Sequence, residues 1–330
     1  MDSDSKNVDT NNTTPQTHLD FTRSRDVWFS DGSVVLVADK TAFRVHATIL
    51  AMHSEVFGDM FAMPQPSEAD LDAETYDTCP VLRLQDSPVD LKHFLKSIYD
   101  FSYFPAGVKT QFPLVAAVLR LGTKCHAPVF RKRAIDMLAT AYPSSAVAWQ
   151  RRSFHRLIPP FPDELLAYIE LAIEMDAPVI LPALYYAATR KPLADAHAEL
   201  SKHAVALSVQ RDVYANFYLG RERLLQAELT HVLAFFDTGF FFPDCQQTRH
   251  DSEVLDRAAR SSLRKLAGPD PYHQWCSAHP SKATSATGFC VNCTNTIRSS
   301  IEAGRETVWE QLPGFSTSLI GIFCEEWRTD

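Results

Sequence analysis

Apolar positions recur in two rhythms along this chain, and one early stretch contains both side by side. Phe43 and Val45 alternate with polar neighbours, the period-two pattern of a strand with one buried face. Ile49 and Leu50 then begin a helical spacing. Ser54 interrupts that helix with a side chain suited to capping, and Val56, Phe57, Met60 and Phe61 supply the apolar face of a second short helix. Upstream, Val34-Val35-Leu36-Val37 and the polar turn Ala38-Asp39-Lys40-Thr41 complete a hairpin. The pattern predicts a hairpin running straight into two helices.

Taken in order, residues 1–22 are rich in Asp, Ser, Asn and Thr and hold too few apolar side chains to offset the entropy of ordering, so a disordered tail is expected. Pro64 to Pro80 is acidic and carries prolines, which suits an exposed loop, and Val81-Leu82-Arg83-Leu84 reads as a strand returning to the hairpin's sheet. Asp86-Ser87-Pro88 starts a helix with Leu91, Phe94, Leu95, Ile98 and Tyr99 at three- and four-residue intervals. Phe112 to Cys125 and Val129 to Tyr142 are two more amphipathic segments, separated by Ala127-Pro128. Beyond the stiff connector Pro159-Pro160-Phe161-Pro162, helical spacing resumes at Leu165 to Ile173. Pro178 and Pro182 lead into Leu184 to Ala188, and apolar stripes follow in Ala204 to Leu219 and Leu224 to Phe236. This half reads as all helix.

An Asp-Val pair, a hairpin, Val-His, a Leu four residues on and Ser-x-x-Phe stand here as Asp26, Val27, Val45, His46, Leu50, Ser54 and Phe57. At these residues the chain resembles the BTB/POZ family. The resemblance implies an α+β N-terminal domain over residues 24–142, a small sheet with a helical cluster. A mainly α-helical domain over 160–330 would follow, similar to fungal (basidiomycete) BTB proteins with a helical extension. Arg305, Trp309, Leu312, Pro313, Gly314 and Phe315 resemble the closing motif of those proteins, and physically suit a terminal helix docked by its Trp.

What the resemblance implies is a non-enzymatic protein-interaction module, an adaptor or scaffold, presenting the hairpin edge and the helices around Phe57 to Phe61 and Phe94 to Tyr99. The alternatives are a substrate adaptor for a cullin ubiquitin ligase and a transcriptional regulator acting through BTB dimerisation. A zinc-dependent enzyme in the C-terminal half ranks below both. In transcription-regulating relatives the Asp and a basic residue after the His form a charged corepressor pocket; Ala47 stands in the second position here. Their extra dimerisation helix ahead of the Asp-Val pair has only Leu19 and Phe21 to build on, so a homodimer is one expectation among several.

Composition narrows the partners. The chain has 330 residues, 45% hydrophobic, enough for a sizeable core, and a formal net charge of -8, which argues against dominant affinity for nucleic acid or anionic membrane. Apolar runs fall short of the roughly 20 residues that span a bilayer, and the polar, acidic start is unlike a secretory signal. An intracellular location, cytoplasmic or nuclear, is the resulting expectation. In a reducing compartment the seven cysteines are better read as buried or metal-binding than as disulfides.

Cys290-Val291-Asn292-Cys293 is a two-thiolate clasp suited to tetrahedral zinc, and Cys245, His250, His273, Cys276 and His279 are candidates for the remaining ligands. One reading pairs Cys276-x-x-His279 with Cys290-x-x-Cys293; the other takes four cysteines, Cys245, Cys276, Cys290 and Cys293, with His279 or His250 as alternates. The resemblance favours the second. A closed site of this kind in the 245–293 segment would be structural. His46, with Asp26 as partner, invites a general-base reading, but no nucleophile accompanies it, and bracing of the strand-to-helix junction is preferred. Arg131-Lys132-Arg133 and Arg151-Arg152 read as a solvated helix face and a loop. With 11 glycines, the chain shows no phosphate-cradling loop or nucleophile elbow.

Overall fold

The computed structural model describes residues 20–63, 74–201, 207–236 and 290–316. The chain divides at Asp100 and Phe101 into two compact units.

The first unit is built on a five-stranded sheet of order β1-β3-β2-β5-β4. The strands are β1 (Thr22–Trp28), β2 (Val34–Ala38), β3 (Thr41–Val45), β4 (Thr75–Tyr76) and β5 (Cys79–Leu84). β2 and β3 pair antiparallel, Val34 opposite Val45 and Ala38 opposite Thr41, across the expected turn. Asp39 takes φ 47° there, a left-handed conformation its short polar side chain tolerates. β2 lies in the middle and pairs parallel with β5. Its five residues are all apolar and all buried, as expected of a strand covered on both faces.

Two layers do the covering. Alternation places Val34, Leu36, Phe43 and Val45 on one face, and α3 (Pro88–Tyr99) packs on β1 and β2 with Leu91, Phe94, Leu95 and Ile98 buried. On the other face Val35, Val37, Ala42 and Cys79 are covered by Phe21, Trp28, Tyr76 and Val81, each half-buried. Arg23 holds this lid together. Its guanidinium lies 4.8 Å from the Trp28 ring centroid and 5.1 Å from that of Tyr76, and its Nε donates to Tyr76 Oη at 2.9 Å.

β1 is irregular. Thr22 and Arg23 pair with Thr41 and Ala42, the register then breaks, and Trp28 rejoins at Arg44. The intervening arch is shaped by Ser24 Oγ, which accepts from the N–H groups of Asp26 and Val27. β1 starts at Thr22, two residues before the expected domain start at 24, and Phe21 and Thr22, placed in the expected tail, pack or pair with the sheet. β1 brings its own apolar side chains to the sheet. Residues 1–19 and 64–73 lie outside the described residues. At the end of the expected exposed loop Thr75 and Tyr76 are a strand, paired with β5 through a turn in which Asp77 and Thr78 adopt positive φ.

After β3 come α1 (Ala47–His53) and α2 (Glu55–Ala62). The second unit contains α4 (Phe112–Lys124), α5 (Pro128–Ala139), α6 (Ala146–His155), α7 (Glu164–Glu174), α8 (Leu181–Thr189), α9 (Leu193–Leu200), α10 (Leu207–Ala227) and α11 (Val291–Ser316). A wide π turn, Glu228–Val232, follows α10. The two apolar stripes read between 204 and 236 are joined by one helix: α10 runs through Gly220 to Ala227, and the second stripe continues into the π turn. The polar residues between the stripes tether it, Arg221 Nη1 donating to Thr189 O at 2.6 Å and Arg223 Nη1 to Gly314 O at 3.3 Å.

α11 is docked by Trp309, as its sequence suggested. The indole is 7% exposed, its N–H donates to Ser144 O, and its ring meets Trp149 and Tyr186 at centroid separations of 5.4 and 5.2 Å. Gly304 is where α11 crosses the π turn. A Cβ there would come 2.6 Å from His231 C and 2.8 Å from Val232 Cα, and closer still to His231 O.

Candidate protein-interaction surface

Ser54 makes the α1–α2 corner. Its backbone is extended, its Oγ accepts from Phe57 N–H at 3.1 Å, and Glu55 sits in the first turn where the helix dipole favours an acid. This short turn sends Phe57 inward, where it is 2% exposed and stacks on Phe61 at 5.9 Å. Burial of a Phe this complete makes it a core residue. Leu50, a landmark of the family pattern, and Phe94, on one of the helices expected to meet partners, are also fully buried, so these side chains serve the interior.

The surface left for a partner is made by different side chains. Met52 is 79% exposed, Met63 is 63% exposed, and Met60 and Phe61 are half-buried between them in sequence. Unbranched, polarisable Met side chains repack against varied partners, and large exposed apolar side chains on and just beyond this helix pair suit protein binding. Burial values alone distinguish Phe57 from Met60; the helical spacing of the sequence gives both to one apolar face.

His46 sits before the first turn of α1 without a side-chain cap bond. Its backbone N–H donates to Tyr99 Oη at 2.9 Å, its Nδ1 lies 3.1 Å from the same hydroxyl, and its Nε2 lies 3.3 Å from Asp31 Oδ1. This fits a ring with Nδ1 accepting from Tyr99 and Nε2–H donating to Asp31. Phe29 closes the cluster, stacked on Tyr99 at 4.5 Å. The expected Asp26 partner is elsewhere: Asp26 forms an exposed ion pair with Lys92 at 3.7 Å, because the β1 arch carries it away from the strand. Asp31 is held below the usual carboxylate range, by its own backbone N–H first and His46 second, and burial pushes the Tyr99 hydroxyl up. The cluster ties α3 to the strand-to-helix junction, a bracing role for the tyrosine–histidine pair.

Three arginines of the basic runs have structural partners, while Lys132 makes an exposed pair along its own helix. Arg131 Nη2 donates to Asp176 O at 2.8 Å, Arg133 Nη1 to Phe104 O at 2.8 Å, Lys132 pairs with Asp136 at 2.8 Å, and the Arg152 guanidinium lies 3.4 Å from the Trp149 ring centroid. Arg131 and Arg133 thus anchor loops where a solvated face was expected. Of the expected zinc ligands, Cys290 and Cys293 stand at the start of α11. Cys245, His250, His273, Cys276 and His279 lie outside the described residues. Among the described residues no three His, Cys, Asp or Glu side chains group around a point that could hold a metal. No helix among them is long and apolar enough to cross a membrane.

A small mixed sheet whose hairpin feeds a pair of short helices, the second capped by Ser54, defines an α+β interaction domain. The family model of the BTB/POZ domain matches residues 23–124, so the chain carries a BTB/POZ domain, followed by a mostly helical region. That match extends beyond Asp100 to the end of α4. The domain is a protein–protein interaction module. A search among curated proteins found no match to the chain.

Proposed function

We propose that the chain is an adaptor or scaffold that engages a partner protein through the outer side of α1 and α2. The observation that carries this is the pair of open methionines, Met52 on α1 and Met63 just past the end of α2, beside a Phe57 that is locked into the core. A rigid support under a soft apolar surface favours binding, because little ordering entropy is lost on association. The braced junction at His46, Asp31 and Tyr99 supports the same reading, since it fixes where α1 begins.

Two partner classes follow from a BTB domain of this kind: a cullin scaffold and a second copy of the chain. The test uses the full chain with Met52→Asp and Met60→Asp combined, both polar changes outside the core. Sedimentation of the purified chain reads self-association, and titration with a purified cullin N-terminal domain reads the other class. The expected result is weakening by at least about tenfold in whichever assay wild type is positive, with an unchanged circular dichroism spectrum. Unchanged binding by the doubly substituted chain refutes this surface.

A further inference from the structure

We propose that the outer face of α6 binds an acidic amphipathic helix of a partner protein, a second docking surface carried by the second unit. α6 starts at Ser145, whose Oγ accepts from Ala148 N–H at 3.4 Å, and none of its ten side chains is buried. The helix is held from one side only. Trp149 meets Tyr186 at 5.3 Å and Trp309 at 5.4 Å between ring centroids, and the Arg152 guanidinium covers the Trp149 ring. Arg156, at the C-terminal end, pairs with Glu164, its Nη1 donating to Oε1 at 3.1 Å.

The opposite side carries Val147, Arg151, Phe154 and His155. Spacings of three and four residues put them on one face of the helix, away from Trp149. Val147 is 52% and Phe154 85% exposed, an open apolar row. Beside it, the side chains of Arg151 and His155 are exposed and make no hydrogen bond or ion pair among the described residues. Residues 146–156 hold three arginines and a histidine and no acid, in a chain of net charge -8. The surface complementary to this face sets carboxylates beside apolar side chains, as one side of an acidic amphipathic helix does. A nucleic acid strand needs a groove of cations following its phosphates, and an anionic membrane a cluster of several basic residues. Arg152 and Arg156 are taken up within the chain, and its net negative charge opposes both polyanions.

The test is fluorescence anisotropy of the full chain with a fluorescein-labelled helical peptide that carries a stripe of Leu beside a stripe of Glu. Wild type should bind it, and a counterpart with Gln in place of Glu should bind at least about tenfold more weakly. Arg151→Glu and Phe154→Ser should each weaken binding of the Glu peptide by about tenfold or more, with circular dichroism melts matching wild type because neither side chain is buried. Added salt should weaken binding to wild type and have little effect on Arg151→Glu. Phe101→Ser is the control, an exposed aromatic that follows Asp100 rather than an arginine, and should bind as wild type does. No binding of the Glu peptide, equal binding of the Gln form, or an affinity unchanged by Arg151→Glu or Phe154→Ser overturns the proposal. An equal loss in Phe101→Ser also overturns it, as does tighter binding of a uridine oligonucleotide or of phosphatidylserine vesicles than of the Glu peptide.

Discussion

Gly304→Ala separates helix propensity from packing at one position. An alanine in the interior of a helix is normally better than glycine by about 1 kcal/mol. At Gly304 the added Cβ would fall 2.6 Å from His231 C and 2.8 Å from Val232 Cα. These are backbone atoms of the π turn, so no rotamer change relieves the overlap, and α11 must move off the turn it packs against. Overpacking of this kind typically costs about 1–3 kcal/mol, and rigid backbone on the far side puts this case at the upper end. Subtracting the propensity gain leaves a net loss of about 2 kcal/mol, or roughly 4–8 °C in melting temperature for a domain of this size. Gly314→Ala is the control, since nothing lies within 4 Å of its added Cβ in the same helix. Thermal melts of both variants by circular dichroism check the sign. If Gly304→Ala is as stable as Gly314→Ala, the close crossing of α11 over the π turn is wrong.

Three further outcomes are expected. Ser54→Ala removes the bond to Phe57 N–H and should destabilise the first unit by about 1 kcal/mol in urea titration, with Ser54→Asp retaining most of the stability; equal losses would remove the cap from the account. Phe57→Ala should cost about 3–5 kcal/mol while Met52→Ala stays within about 0.5 kcal/mol, because only the first side chain is buried. Similar losses for the two would contradict the assignment of core and surface. Burial first, and the Glu164 carboxylate second, push the Tyr142 hydroxyl up, while Tyr168 is raised chiefly by burial. A raised folded value means the stabilisation is complete below the ordinary tyrosine range and fades as pH climbs past about 10. Denaturant titrations at pH 9 and pH 11 should show this loss, and Tyr142→Phe should reduce it; the same loss in that variant would assign it to other groups.

What the sequence revealed and what it hid follow from the range of the interactions. The β2–β3 hairpin, the Ser54 cap and the start of α3 at Ser87-Pro88 depend on residues a few positions apart, and all three were readable. The partner of His46 was not. Asp31 and Tyr99 reach it only once the hairpin folds and α3 returns across the sheet, whereas Asp26, the nearer landmark by family pattern, is carried off on an arch made by Ser24. β4 was hidden because its turn uses Asp77 and Thr78 at positive φ, without the glycine that usually signals such a turn. α10 was read as two stripes because Arg221 and Arg223 interrupt its apolar pattern; they are tethers to other helices, a use invisible without tertiary context. The division of the α2 side chains into core and surface has the same origin. Spacing shows that Phe57, Met60 and Phe61 can share a helix face, and only packing shows which of them the interior claims.

The central claim is that the outer side of α1 and α2 meets another polypeptide, and crosslinking from that surface tests it most directly. A photoreactive phenylalanine derivative in place of Met60 or Met52 should, on irradiation in cells, yield adducts with a second polypeptide. The same derivative in place of Val129, also solvent-exposed but on α5, should not. Adducts of equal yield from all three positions, or none from Met52 and Met60, would contradict it.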